Sequence, residues 1–371
     1  MRVRSYMRRG LAVAAIAVLA VGVSACGKAK QAGGGSGSEN LSVKDGFKIG
    51  ILLPESKTAR YEKFDHPFLQ ADIKKLCPKC TIEYRNANQD ADTQRQQVDA
   101  VLAAGAKVLI LDSVDYKSIK SSVQKAKDQG VPVIAYDRLA QGPISGYSSF
   151  NNVDIGKLQG KAFLKAISAK GSPKRGKVIL VNGSPDDPNA PDFKKGMHSI
   201  LDGKVNVGAE YDTQDWSPDQ ARQEVAGAIS KVGAKNIIGV YCANDGMAGG
   251  AIAALKAANV SPLPPVTGQD AELAGIQRIL TGEQYATIYK SIKPQAQAAA
   301  EMAVDVATGK KWTGSGDKVN NGTVSVPAKI VPATTVTVDN IESTVVKDGY
   351  WKPSEICTAK YKADCQKAGV K

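Results

Sequence analysis

The sequence predicts an α/β fold of two lobes, each built on a parallel sheet, and three features of the chain carry that expectation. Short apolar runs alternate with stretches of helical periodicity along the body. The runs are close to continuous in apolar character, as strands covered by helices on both faces must be. They also occur twice over. KIGILL, VLILDS and VIAYDR, starting at Lys48, Val108 and Val133, are echoed by KVILVNG, IIGVYCAND and PVTGQD, starting at Lys177, Ile237 and Pro265. A chain of 371 residues exceeds a typical single domain, which makes two the expected number.

The chain begins with Arg2, Arg4, Arg8 and Arg9 and no acid, followed by an apolar stretch from Gly10 to Ala25. A basic start, a short apolar region and small residues before a cut describe an export signal over residues 1–25. The stretch is short for a membrane span, which needs about 20 predominantly apolar residues; an uncleaved anchor helix is the alternative. Val23-Ser24-Ala25-Cys26 resembles the lipobox of bacterial lipoproteins, which implies acylation of Cys26 and attachment of the mature chain to the membrane. Residues 26–45 are rich in Gly and Ser without apolar periodicity and read as a flexible tether.

The body opens with a strand over Phe47–Leu53. Helical stripes follow over Thr93–Ala104, through Val98, Val101 and Leu102, and over Asp115–Gln129, through Ile119, Val123 and Ala126. Between them lies the strand Val108–Leu111, and Gly130 caps the second helix before the strand Val131–Tyr136. Later strands at Val178–Val181, Ile237–Cys242 and Ala286–Tyr289 interleave with helices at Ile155–Ala169, Pro218–Val232, Gly246–Ala258, Ala271–Leu280 and Pro294–Ala307. The doubled runs end in polar residues, and open α/β sheets bind ligands at the carboxyl ends of their strands.

The formal net charge is +13; without the four signal arginines, 45 basic residues remain against 36 acidic. The bases are dispersed, so the balance points to a mildly basic surface near an anionic envelope and not to a nucleic-acid partner. Six cysteines occur. With Cys26 set aside, Cys77 and Cys80 form one local pair and Cys357 and Cys365 another, and export makes a disulfide within each reasonable. The Cys77-Pro-Lys-Cys80 spacing also fits a redox motif or half a zinc site. His66 and His198 are the only histidines, so neither zinc nor a Ser-His or Cys-His pair finds ready partners. No Walker loop or dinucleotide glycine fingerprint occurs, and neither a metal nor a cofactor is expected. Cys242 reads as a buried strand thiol.

Eight segments then stand in a recognisable order: Lys48–Leu53 with Arg60-Tyr61, Val131–Arg138, Ser149–Asn152, Asn182–Pro185 with Asn189-Ala190, Asp215–Pro218, Ala243–Gly246, Gly268–Ala271 and Ile288–Lys290. Together they resemble the sugar-binding proteins of ABC importers, the periplasmic binding protein type I family, and most of all its D-xylose-binding branch. The resemblance covers nearly everything from 46 to 350. It implies two Rossmann-like lobes joined by a three-segment hinge: residues 46–145 with 292–318, and 146–291 with 319–355, leaving 356–371 as a tail. It further implies a monosaccharide ligand, closure about the hinge, and delivery of the sugar to a membrane permease by a monomeric receptor.

The residues at the strand ends suit such a ligand. A sugar is a neutral ring of hydroxyls with two faces of C–H bonds, so its receptor needs planar polar groups and flat aromatic surfaces. Asp137 and Arg138 directly follow an apolar strand, where their charges need partners, each other, the opposite lobe or ligand hydroxyls. Asn244 and Asp270 close strand-like runs in the same way, and Lys290 ends another. Arg60 follows the first strand. Tyr61 and Trp216 fall in polar loops, as rim or core packing or as faces for the sugar. Asn189 either caps a helix or reaches into the cleft. Asn151 is the departure: related xylose binders often carry Asp there, so the preferred sugar is left open.

Rival classes are weaker. Asp137 and Asp270 could form a glycosidase pair, yet Arg138 and Lys290 nearby favour ionised carboxylates over the protonated acid that chemistry needs. A sugar-responsive regulator of this fold would carry a DNA-binding motif where this chain has a signal and tether. A lipoprotein that presents sugar to a chemoreceptor or histidine kinase shares every feature above.

Overall fold

The computed structural model describes residues 41–371. The signal, Cys26 and the first part of the tether lie outside the described residues. In chain order the body runs β1 (Lys48–Leu53), α1 (His66–Leu76), β2 (Thr81–Asn86), α2 (Ala91–Ala103), β3 (Val108–Leu111), α3 (Lys120–Asp128), β4 (Val133–Tyr136) and β5 (Gly146–Phe150). Next come α4 (Asn152–Ser168), β6 (Lys177–Asn182), α5 (Asn189–Leu201), β7 (Val207–Asp212), α6 (Pro218–Val232), β8 (Ile237–Cys242), α7 (Asp245–Ala257) and β9 (Val266–Thr267). The chain ends through α8 (Leu273–Leu280), β10 (Thr287–Lys290), α9 (Ile292–Ala307), β11 (Lys318–Asn320), β12 (Ser325–Val331), β13 (Ala333–Val336), α10 (Pro353–Ile356) and α11 (Lys362–Ala368).

The first lobe is a sheet in the order β11-β12-β5-β4-β3-β1-β2, parallel throughout except for the β11–β12 pair. Its strands alternate strictly between two cores. Ile49, Ile51, Val108, Ile110, Ile134 and Tyr136 face α1 and α9, while Leu52, Leu109, Leu111, Val133 and Ala135 face α2 and α3. Successive strand residues point to opposite faces, so burial of both faces requires a continuous apolar run. The second lobe carries the parallel order β7-β6-β8-β9, and a bridge between Thr267 and Ala286 extends it toward β10, which pairs antiparallel with β13. Close packing of α4 on α5 depends on Gly156, where a Cβ would stand 2.1 Å from the Phe193 carbonyl oxygen.

The chain passes between lobes after β5, after β10 and after β12. The first and last of these passages lie elsewhere than the sequence suggests. Gly146–Phe150 belongs to the first sheet, paired with β4 and β12, so that lobe extends past residue 145. Ser325–Val331 is also a strand of the first sheet, not of the second lobe. The tether ends earlier than residue 45: Leu41 and Val43 pack on the first-lobe core. Residues 356–371, expected as a tail, pack on the second lobe, with Ile356, Cys365 and Val370 buried in its cluster. Disulfides join Cys77 to Cys80 and Cys357 to Cys365, and Cys242 is a buried free thiol.

An aromatic side chain of the first lobe packs across the lobe boundary. Phe64, between β1 and α1, stacks on Tyr350 at 4.0 Å between ring centroids and meets the edge of Trp351 at 5.1 Å. It is buried in the core cluster of the second lobe. Among the described residues no helix is long and apolar enough to cross a membrane, and no cluster of His, Cys, Asp and Glu could hold a metal ion.

Candidate functional site

The carboxyl ends of the strands from both lobes converge on one cavity. Nine of the ten residues singled out from sequence line it: Arg60, Tyr61, Asp137, Arg138, Asn189, Trp216, Asn244, Asp270 and Lys290. Thr58, Asp187, Phe193 and Gln269 complete the lining and were not singled out. Asn151 does not reach it. That side chain is exposed and caps α4, its Oδ1 accepting from the Asp154 amide at 3.1 Å and its Nδ2 donating to Asp154 Oδ2 at 2.6 Å. The neighbouring Asn152 is the buried one, donating to Asn189 Oδ1 at 2.7 Å.

Three of the lining residues hold backbone conformations that only the surrounding fold can impose. Asp137, Trp216 and Asp270 have φ of 57°, 53° and 90°. Left-handed backbone is tolerable for Asp and unfavourable for a bulky residue such as Trp, and strain of this kind gathers at ligand sites. Trp216 reaches its place because residue 183 is glycine: a Cβ there would lie 2.0 Å from the indole Cη2. The ring packs edge-on to Phe193, with centroids 6.4 Å apart.

Charge is arranged in two clusters. In the first the Arg60 fork is taken up by Asp65, Asp137 and Gln295. Its Nε and Nη2 donate to Asp65 at 3.0 and 2.7 Å, Nη1 donates to Asp137 at 3.0 Å, and Nη2 also donates to Gln295 Oε1 at 3.0 Å. Gln295, on α9, returns a hydrogen bond to Asp137 Oδ1 at 3.1 Å. Burial pushes the Asp137 carboxyl up, but Arg60, Lys290 and Arg138 around it win and hold it below its ordinary value. Tyr61 lies between two guanidiniums, 5.2 Å from Arg60 and 5.9 Å from Arg138, so its ring anchors cations.

In the second cluster Arg138 donates to the Ser113 carbonyl at 3.2 Å and to the Tyr61 hydroxyl at 3.4 Å. Its Nε lies 2.8 Å from Asp187 Oδ2 of the other lobe, an ion pair out of line for a hydrogen bond. Lys290 and Asp270 form a similar pair at 2.7 Å, with the ammonium also 5.7 Å from the Phe150 ring and 5.5 Å from that of Phe193. Asn244 caps α7, its Oδ1 accepting from the Met247 amide at 2.8 Å. Asn189 is no cap: it sits inside the first turn of α5 and donates across the lobes to the Asp137 carbonyl at 3.4 Å.

Two buried polar atoms of the lining, Trp216 Nε1 and Gln269 Oε1, have no hydrogen-bond partner, while Arg138 Nε and Asp270 Oδ1 are held only by ion pairs. Buried polar groups are nearly always paired, so these atoms mark the cavity as a place for polar partners.

Two sheets that present their strand ends to one cavity, joined by three chain passages, define a two-lobed receptor of the periplasmic binding protein type. Residues 49–311 match the periplasmic binding protein domain family, and the chain belongs to it. It is 34% identical over 315 residues to the D-xylose-binding periplasmic protein of Escherichia coli (strain K12), covering 83% of this chain and 92% of that one. It is 31% identical over 339 residues to the multiple sugar-binding periplasmic protein SbpA of Azospirillum brasilense, covering 86% and 94%. Among solved structures it is similar to an ABC transporter solute binding protein from Clostridium phytofermentans with bound β-D-glucose. The TM-score is 0.77 and the identity 25%, over 83% of this chain and 99% of that one.

Proposed function

We propose that this chain is an extracytoplasmic, lipid-anchored receptor that closes on a xylose-like aldose and delivers it to an ABC importer. The observation that carries the reading is the single cavity lined from both lobes by ionic pairs, amides, an indole and unpartnered polar atoms. A neutral polyhydroxylated ring supplies what those atoms lack, and its C–H faces suit Trp216 and Phe193. The family and the sugars bound by its relatives support the class of ligand. Nine of the ten residues named from sequence line the cavity, Asn151 being the exception, and Asp187 and Gln269 join them. Arg60 acts by positioning Asp137, its donors being spent on Asp65, Asp137 and Gln295.

The reading is of a binding protein without catalysis. Asp137 is held ionised, which suits acceptance of hydroxyl hydrogens and not acid catalysis. Titration calorimetry with a panel of pentoses and hexoses tests the assignment: D-xylose or a close epimer should bind, and folded protein that binds no monosaccharide would remove it. Turnover of a glycoside would replace it with an enzyme. For the anchor, Cys26→Ala should move the protein from the membrane fraction to the soluble one; retention at the membrane would refute lipidation at this residue.

A further inference from the structure

A second cavity lies against the first. It contains about 1010 Å³ of space open to solvent and is lined from both lobes, by Tyr116, Tyr147 and Asn320 of the first and by Asn152, Asn189 and Asp192 of the second. Asn189 lines both cavities. The partition between them is one side chain thick, and it is made at the lobe boundary. Asn189 Nδ2 donates to the Asp137 carbonyl over a long 3.4 Å, and that same oxygen accepts from the Tyr147 hydroxyl at 2.9 Å. Asn152 holds Asn189 from the outer side at 2.7 Å. Phe150 completes the wall: it lines the outer cavity while its ring lies 5.7 Å from Lys290 Nζ, which lines the inner one. Asp137 and Asn189 belong to different lobes. When the lobes part, the partition parts with them, and the two cavities become one groove.

The linings differ in chemistry. The inner cavity is crowded with charge, whereas the outer one offers planar amides, phenol rings and apolar side chains such as Leu139, Val319 and Ile330, with a single carboxylate. Amides grip paired hydroxyls and flat rings cover C–H faces, the combination that a neutral sugar ring requires. We infer that the outer cavity is a second sugar subsite, so that the protein binds a glycoside or short disaccharide with one ring in the inner cavity and the remainder in the outer. The inference rests on the sugar-binding reading of the inner cavity. Its walls come from opposite lobes and would close together on an occupant, which decides against a mere vent for water.

Calorimetry of the purified protein with D-xylose, methyl α- and β-D-xylosides and xylobiose tests it. Either ring of xylobiose can occupy the inner cavity, so both directions of exit are sampled. At least one glycoside should compete with D-xylose and bind within about 30-fold of its affinity. Asn320→Trp, at a residue that lines the outer cavity and not the inner one, narrows the outer space and should weaken that glycoside at least about 10-fold while leaving D-xylose unchanged. Free sugar binding with every glycoside weaker than that bound overturns the outer subsite alone. So does an Asn320→Trp protein that binds both ligands as before or loses both equally. Failure of all these ligands and of the whole monosaccharide panel removes the inner reading as well.

Discussion

Arg138 and Asp187 meet across the cleft, with Nε of the first-lobe arginine 2.8 Å from Oδ2 of the second-lobe aspartate. On the other side of the guanidinium stands Asp112 of its own lobe, at 3.7 Å from the same nitrogen. Both Asp112 oxygens are buried without a hydrogen-bond partner, and burial, with Asp137 adding to it, pushes that carboxyl well above its ordinary value. A cation between two carboxylates on different lobes has one partner for the closed form and another when the lobes separate.

Loss of the cross-lobe partner should therefore act on closure more than on folding. Asp187→Asn is expected to weaken sugar binding about 5- to 150-fold, the equivalent of about 1–3 kcal/mol. The melting temperature of the sugar-free protein should change little, because Asp112 takes up the guanidinium. Calorimetry and a thermal melt decide; wild-type affinity in the variant excludes the clasp.

Gly183→Ala should act through Trp216. The added Cβ meets the indole at 2.0 Å, so the ring must leave its place beside Phe193. Sugar affinity should fall by about 10-fold or more, with a shift in tryptophan emission and the far-UV dichroism retained. An unshifted spectrum with normal affinity means that the ring is not held by this contact.

Two asparagines separate capping from binding. Asn151 and Asn244 both cap helices, and each change to Ala should lower stability by about 1 kcal/mol. Only Asn244 lines the cavity, so only Asn244→Ala should also weaken sugar binding. Equal affinity losses in the two variants would return Asn151 to the site.

Much of this was legible in the chain because buried parallel strands must be apolar. β1, β3, β4 and β8 announce themselves, and so do the charged residues that follow them. β5 does not, because GYSSF fills a buried strand with hydroxyls: Ser148 donates to the Gln295 carbonyl at 2.8 Å and Ser149 to that of Asp137 at 2.6 Å. A strand whose polar groups are satisfied by distant partners carries no apolar signature, and both misplaced lobe boundaries involve it or β12, its neighbour in the sheet. Asp187 was missed for a related reason. Asp186 and Asp187 are indistinguishable in a turn-like run, yet one accepts from Gln214 and the other faces Arg138. The left-handed backbone of Trp216 left no trace in the sequence at all.

Phe64 has a thermal consequence. Its ring is sheltered by Tyr350 and Trp351, which belong to the other lobe, so separation of the lobes hands an aromatic surface to water. Hydration of that surface raises heat capacity, whatever the polarity of the sugar. Binding should then show a negative heat-capacity change larger than the sugar's own few C–H groups supply. A receptor for one of the most hydrophilic of ligands would owe part of its grip to an oily contact that the ligand never touches, and that part would weaken in the cold.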